Sequence, residues 1–506
     1  MSRLVVVSNR VATTEGAAAG GLAVALGSGL KGEPALWFGW SGELTGEHSG
    51  ELTARRVGGV DVVTLDLDEA DYDAYYNGYS NGALWPLFHS RTDLANYDRG
   101  FAEGYGRVNR RFAEALAPLL RPDDIIWVHD YHLIPLGREL RALGVKNAIG
   151  FFLHIPWPAR QLFATLPHHR DLAAALFAYD VVGMQTDDCV EAFRSYVLHE
   201  AGGAEAAGRL QAFGRSTRVE AFPIGLDTDN FLELSRSLAA TRSFDRMIAH
   251  GLFRSLIVGV DRLDYSKGIP ERLEGFEQYL SDQPDMVRKV LYLQIAPSSR
   301  EGVEAYQTLR ANVLALGGRI NAAWAEMDHA PVLCVIRNYS RAELAGVYRA
   351  ARVGLVTPLR DGMNLVAKEY VAAQDPADPG VLVLSRFAGA ARQMTDALIV
   401  NPYAPEELAD ALHAALAMPL AERVRRWEAM MDGVVRDDVR AWRDRFVAAL
   451  EAASERPVSE RQTPAAPRFA ARSPRPDAID SAGAYELRSG PGSAASAPGW
   501  RPTALG

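Results

Sequence analysis

VGLVTPLRDGMNLVAKEYVAAQ, residues 353–374, sets the reading of the whole chain. Residues 353–357 are a short apolar, β-branched run of the kind that makes a strand buried on both faces, and Pro358 stops it. A turn with Asp361, Gly362 and Asn364 follows, and LVAKEYVAA then has helical spacing with no breaker. Strand, tight turn and helix N-terminus therefore meet at one point. The first N–H groups of such a helix lack intrahelical partners and carry the positive end of its dipole, which suits a phosphate oxygen. Leu365 and Val366 supply those donors, and Asp361 points from the turn toward the same cleft. Glu369 lies about one turn further in, within reach of a ribose diol. The local pattern equally allows a plain cap at Asn364, with Glu369 paired to a Lys or Arg.

The same unit recurs along the chain. LVVVSN, residues 4–9, reads as a first buried strand that delivers Arg10 to its carboxyl end, where a crevice opens in α/β sheets. A small-residue loop follows, and Gly20 and Gly21 at its end let a ligand approach the backbone. The spacing is not G-x-G-x-x-G, so a dinucleotide-binding oxidoreductase gains no support. DIIWVHDYHLIPL (124–136) and IGFFLHIPWP (149–158) are strands that leave Asp130 and His154 at their ends. His129, Asp130 and His132 match no metal-ligand spacing, and adjacent residues rarely converge on one ion. The aromatic, Gly- and Asn-rich residues 37–90, with Tyr76 and Trp85, suit either a sugar or a rigid loop.

After a helical, polar stretch at 227–251 a second alternating series begins, so the domain boundary falls there. SLIVGVDRLDYSKGIP places Arg262, Lys267 and Gly268 in a loop after a buried strand, and Arg300 follows the strand 291–296. Taken singly, each is an exposed loop cation. Strand ends of one parallel sheet share a rim, however, so together they can neutralise a diphosphate. The expected organisation is α/β: two Rossmann-like parallel-sheet domains, 1–235 and 236–455, then a disordered Pro/Ser/Ala-rich tail, 456–506.

Composition narrows the class. The 506 residues are 48% hydrophobic and 23% charged, ordinary values for a globular protein with a large core. A net charge of -9 argues against general nucleic-acid binding, so an anionic ligand must be held by a local cluster of cations. Cys189 and Cys334 form neither a disulfide framework nor a metal-type spacing. No stretch approaches the roughly 20 apolar residues of a membrane span, and the N-terminal apolar run is short for a signal peptide. A cytoplasmic protein without membrane association is expected.

The motifs LVVVSNR, AGGLAV, WFGWSGE, YYNGYSN, LWPLFH, WVHDYHL, FFLHIPWP, DRLDYSKG, QIAPSSR, TPLRDGMNLVAKEYVAAQ and LIVNPY lie in register over about the first 450 residues. In this the chain resembles the trehalose-6-phosphate synthase family of retaining glycosyltransferases. The resemblance implies a GT-B fold, two domains facing across a cleft, and glucose transfer from a nucleotide sugar, usually UDP-glucose, to glucose 6-phosphate. It implies no cofactor and no metal. It also implies roles for individual residues. Arg262 and Lys267 grip the donor diphosphate with the N–H groups of Leu365 and Val366, Glu369 holds the ribose, and the backbone near Tyr339 faces the base. Gly20 and Gly21 let the N-terminal loop close on the donor. Arg10, Tyr76, Asp130 and Arg300 bind the acceptor, the arginines at its phosphate, and Trp85 lines the pocket. His154 and Asp361 hold hydroxyls of the transferred glucose, and His154, Arg262, Lys267 and Asp361 form the catalytic set.

Two departures stand out: residues 321–344 lack the family's usual Gly-Trp and Thr-Pro pattern, and Trp157 stands where Phe is usual. A homo-oligomer, dimer or tetramer, is expected. Glucosylglycerol-phosphate synthase, with the same donor and another phosphorylated acceptor, is the near alternative. A catalytically silent sugar-phosphate sensor is the distant one, and it is disfavoured by the presence of both Arg262 and Lys267.

Overall fold

A computed structural model describes residues 2–11, 27, 34–47, 50–250, 254–300 and 303–454. Gly20, Gly21 and the proposed tail, 456–506, lie outside the described residues. Two sheets organise the rest. The first has the order β3 (Leu52–Val57), β4 (Val60–Asp68), β2 (Ala35–Thr45), β1 (Leu4–Arg10), β5 (Ile125–His129), β6 (Ala148–Phe152), β7 (Val181–Met184), β10 (Arg215–Ala221), β9 (Arg209–Ala212) and β8 (Ala204–Ala206). From β4 to β10 every pairing is parallel. The second sheet runs β13 (Val332–Val335), β12 (Val290–Ile295), β11 (Ser255–Val260), β14 (Val353–Val356), β15 (Val381–Ser385) and β16 (Leu398–Val400), parallel throughout.

The central strands are apolar because helices cover both faces. Every residue of β5, β6 and β14 is buried, as a parallel sheet enclosed on both sides requires. The edges of the first sheet depart from the alternation read in the sequence. β3 pairs antiparallel with β4, and β8, β9 and β10 form an antiparallel meander. The outermost strands, β3 and β8, are mostly exposed, which an edge open to water permits.

Strand order reverses at β1/β5 in the first sheet and at β11/β14 in the second. Loops leaving neighbouring strands diverge at such a point and open a crevice at their carboxyl ends. Arg10 ends β1, Asp130 follows β5, the 261–268 loop follows β11 and the Asp361 turn follows β14.

Within the aromatic stretch, residues 69–88 are helical. Residues Tyr72–Leu84 wind wide, and the Trp85 N–H reaches the Ser80 carbonyl five residues back. Its rings bury against the helix Arg99–Leu116 that follows, as in the Tyr79–Tyr105 contact at 4.6 Å.

The last described helix, Val439–Ser454, returns to the first sheet. Phe446 stacks on Trp127 at 4.5 Å, and Trp442 lies 4.7 Å from the same ring. Gly150 and Gly183 form the seat: a Cβ on either would come within 2.7 or 2.8 Å of the Phe446 ring. Phe446 is fully buried. Phe446→Ala is expected to cost about 3–5 kcal/mol by urea denaturation. A loss below about 1 kcal/mol would show that this helix does not hold the sheet.

Candidate active site

The turn read first in the sequence is closed by an ion pair. The Lys267 ammonium bonds the Asp361 carboxylate, and the Asn364 side-chain amide donates to the same oxygen at 3.1 Å. Lys267 is only 12% exposed, so it is not the solvated loop cation its local sequence suggests. The backbone repeats the link: the Leu359 N–H donates to the Ser266 carbonyl at 2.8 Å. Asn364 adopts the left-handed conformation, φ 73, and starts the helix Leu365–Ala373 without a side-chain cap. The amide therefore faces the Asp361 carboxylate rather than the helix. Asp361 and His154 sit on directly opposed backbone, because Gly362 abuts the His154 carbonyl so closely that a Cβ there would lie 2.0 Å from its oxygen. The Arg360 guanidinium donates to the Trp157 carbonyl at 3.0 Å, a second tie between the two halves.

A buried guanidinium supports this corner from below. Arg272 is fully buried and donates to Thr357 Oγ1 at 2.9 Å, Gln294 Oε1 at 3.1 Å, Asp261 Oδ2 at 2.8 Å and the Lys267 carbonyl at 3.1 Å. These partners lie on or just beyond β14, β12 and β11, so one side chain ties together three strand ends and the Lys267 turn. Nothing in the local sequence marked Arg272, because its role depends on burial.

Arg300 crosses to the first half. It bonds Asp264 at 3.1 Å, lies over the Trp85 ring at 3.9 Å and reaches the Tyr131 hydroxyl at 3.4 Å. Tyr76 stacks on His132 at 5.7 Å and on Tyr72 at 5.2 Å, beside Trp40. Arg10 places its guanidinium over Trp40 at 5.7 Å. Tyr76 thus stands between the Arg10 and Arg300 sides of one pocket. Arg262 is exposed and makes no ion pair among the described residues. Its positive charge nevertheless acts on both Asp130 and Asp264, so it lies near both carboxyls. Glu369 is paired with Arg341 at 3.0 Å. Tyr339 precedes Arg341 by two residues, so the proposed base and ribose positions are neighbours.

The first half supplies neutral groups. His129 Nδ1 and His154 Nε2 are 3.0 Å apart, so one donates to the other. Burial pushes His154 down to about 3 and His129 well below the ordinary histidine value, so both are uncharged hydrogen-bonding groups near neutrality. Asp130 stands in the left-handed region, φ 75, and accepts the His154 N–H at 3.1 Å. Burial pushes its carboxyl up to about 7; the N–H groups of Tyr131 and His154 and the charges of Arg300 and Arg262 oppose this without cancelling it. Among the described residues no group of three or more His, Cys, Asp or Glu side chains is arranged to hold a metal ion, and no helix is long and apolar enough to cross a membrane.

The Asp130 shift has a stability consequence. The folded protein keeps a proton that the unfolded chain releases near the ordinary value of 3.8, so the contribution is complete below that pH and is lost as pH rises through about 7. Asp130→Asn cannot ionise. Relative to the variant, the wild-type protein is expected to lose stability between about pH 4 and pH 8 in urea denaturation. A difference between the two that is constant with pH would contradict the shift.

Comparison with known proteins agrees with this geometry. The model of the family described as Glycosyltransferase family 20 matches residues 3–452. A trehalose-6-phosphate synthase of Sinorhizobium fredii (strain NBRC 101917 / NGR234) is 48% identical over 462 residues, covering 90% of this chain and 100% of that one. An alpha,alpha-trehalose-phosphate synthase (UDP-forming) from Burkholderia xenovorans, solved in complex with glucose-6-phosphate, superimposes with a TM-score of 0.86 at 50% identity, covering 89% of this chain and all of that one. A trehalose-6-phosphate synthase from E. coli bound with UDP-2-fluoro glucose gives 0.85 at 45% identity, covering 89% and 99%. Two α/β domains with a cleft lined from both sheets are what these structures share with the present one, and the chain belongs to glycosyltransferase family 20.

Proposed function

We propose that this glycosyltransferase moves glucose from UDP-glucose to glucose 6-phosphate with retention, giving α,α-trehalose 6-phosphate and UDP. The observation that carries the reading is the convergence of Arg262, Lys267 and Arg300, from two adjacent strands of one sheet, on a cleft faced by Arg10, Tyr76 and Trp85 from the other. Two phosphorylated ligands need cations at both ends of a sugar-sized space. Arg262, Lys267 and the N–H groups of Leu365 and Val366 hold the donor diphosphate. Glu369, already fixed by Arg341, holds the ribose, and the backbone near Tyr339 meets the base. Arg10 and Arg300 hold the acceptor phosphate, Tyr76 and Trp85 wall its sugar, and Asp130 accepts from a sugar hydroxyl. His154 and Asp361 hold the transferred glucose. On this reading residues 1–235 carry the acceptor and residues 236–455 the nucleotide sugar.

In the reaction the bond from C1 to the β-phosphate oxygen breaks, and an acceptor hydroxyl forms the new bond on the same face. Its proton passes to the departing phosphate oxygen. Charge develops on that diphosphate, and fixed cations plus a helix N-terminus stabilise it without reorganising. A carboxylate nucleophile, as in retaining hydrolases, is not needed. His154, held neutral by burial, contributes a hydrogen bond rather than a charge.

UDP release is expected with UDP-glucose and glucose 6-phosphate. Turnover only with glycerol 3-phosphate would reject the acceptor assigned here. Arg262→Ala is the cleaner probe of the diphosphate site, since Lys267→Ala also strands Asp361. Loss of Arg262 is expected to lower kcat by about 100-fold or more with little change in thermal midpoint, because the side chain is exposed. Wild-type turnover in a well-folded variant would remove Arg262 from the catalytic set.

A further inference from the structure

Asp264 lies inside the DRLDYSKG stretch, between two residues assigned to the donor, yet its side chain is fully buried and meets neither substrate in the scheme above. Its two oxygens are divided between the two substrate sites. Oδ1 accepts the Ser266 N–H at 3.0 Å and caps the short turn Tyr265–Lys267. The Asp264 carbonyl takes the Lys267 N–H, also at 3.0 Å, so the backbone that presents the donor-side lysine is fixed twice by one residue. Oδ2 accepts Arg300 Nη1 at 3.1 Å and the Tyr306 hydroxyl at 3.4 Å.

Arg300 depends on this hold. Its backbone is left-handed, φ 49, a conformation that non-glycine residues adopt rarely. Its guanidinium is placed by contacts alone: Asp264, Tyr306, the Trp85 face and the Tyr131 hydroxyl. Burial pushes the Asp264 carboxyl up, but Arg300, Lys267 and Arg262, with a smaller effect from His89, outweigh it and hold the group down to about 2. It is therefore an anion whenever the cations around it are charged.

A ligand phosphate on Arg300 and a ligand diphosphate on Lys267 thus both act on Asp264, whose carboxylate pairs with Arg300 and caps the turn that carries Lys267. Whichever ligand arrives first orders a network that the second then meets already ordered, and such coupling is reciprocal by necessity. We propose that Asp264 is a positioning residue that couples the two sites: acceptor phosphate on Arg300 fixes the turn that presents Lys267 to the donor, and donor binding fixes Arg300 for the acceptor. The inference rests on the functional reading above and adds to it the element that joins its halves.

Titration of UDP into the protein with and without saturating glucose 6-phosphate, followed by calorimetry, measures the coupling. In the wild-type enzyme the acceptor is expected to tighten UDP binding about 5-fold or more. In Asp264→Asn, which keeps a cap acceptor but loses the charge, the ratio is expected to fall to about 2-fold or less. Asp264→Glu restores the charge on a longer arm and is expected to lie between them; it also serves the same titration if the Asn variant does not fold. A purely structural role would lower both affinities and leave the ratio unchanged. An active wild-type enzyme without coupling, or variants that keep the full wild-type ratio, would overturn the inference and leave the functional reading standing. A wild-type protein that releases no UDP would overturn the functional reading, and the inference with it.

Discussion

Burying cations at the carboxyl edge of the second sheet demands carboxylates beside them, and that demand shapes the rest of the molecule. Three pairs meet it: Lys267–Asp361, Arg300–Asp264 and Arg272–Asp261. Each ion loses several kcal/mol of hydration on burial, and removal of one partner typically costs about 3–5 kcal/mol because the other is left uncompensated. The first two pairs join separate strand-to-helix connections and the third ties the loop after β11 to its own helix, so the cations are in place when charge develops on a leaving group. Fixed charge of this kind stabilises a departing diphosphate better than water can, since no dipoles have to turn.

The two halves of the cleft divide the chemistry between them. The second sheet supplies Arg262, Lys267 and Arg300, suited to phosphates, and the first adds Arg10. The first supplies His154 and His129, kept neutral by burial, and Asp130, whose carboxyl titrates near 7. The two histidines donate to or accept from hydroxyls without adding a charge beside the cations. Aromatic rings complete the wall, and the Trp85 ring of the first half carries the Arg300 guanidinium of the second. Beside the site the halves are tied by Gly362 against the His154 carbonyl and by the Arg360 guanidinium on the Trp157 carbonyl.

Much of this was legible in the sequence, for definite reasons. The run ending before Pro358 is a strand, Val353–Val356, and the helix begins at Leu365, because a fully buried strand, a proline stop and an uninterrupted helical pattern are local signals. The edges of the first sheet were not legible: a half-exposed antiparallel strand such as LTARRV, residues Leu52–Val57, carries little apolar periodicity. The wide helix Tyr72–Leu84 was hidden by its glycines and asparagines, which read as a loop. Asp264, Arg272 and Arg341 could not be singled out at all, since what distinguishes them from solvated charges is burial beside a partner far off in the chain. Lys267 was found but misjudged as exposed, for the same reason. The motifs, in register along the chain, named the candidate residues; their pairing needed coordinates.

The most direct measurement is a crystal structure of the protein with UDP and glucose 6-phosphate bound together. The account requires one diphosphate within hydrogen-bonding distance of both the Arg262 guanidinium and the Lys267 ammonium, with the acceptor phosphate on Arg300. A diphosphate seated away from the 261–268 loop, or an acceptor phosphate that leaves Arg300 on Asp264 alone, would contradict it.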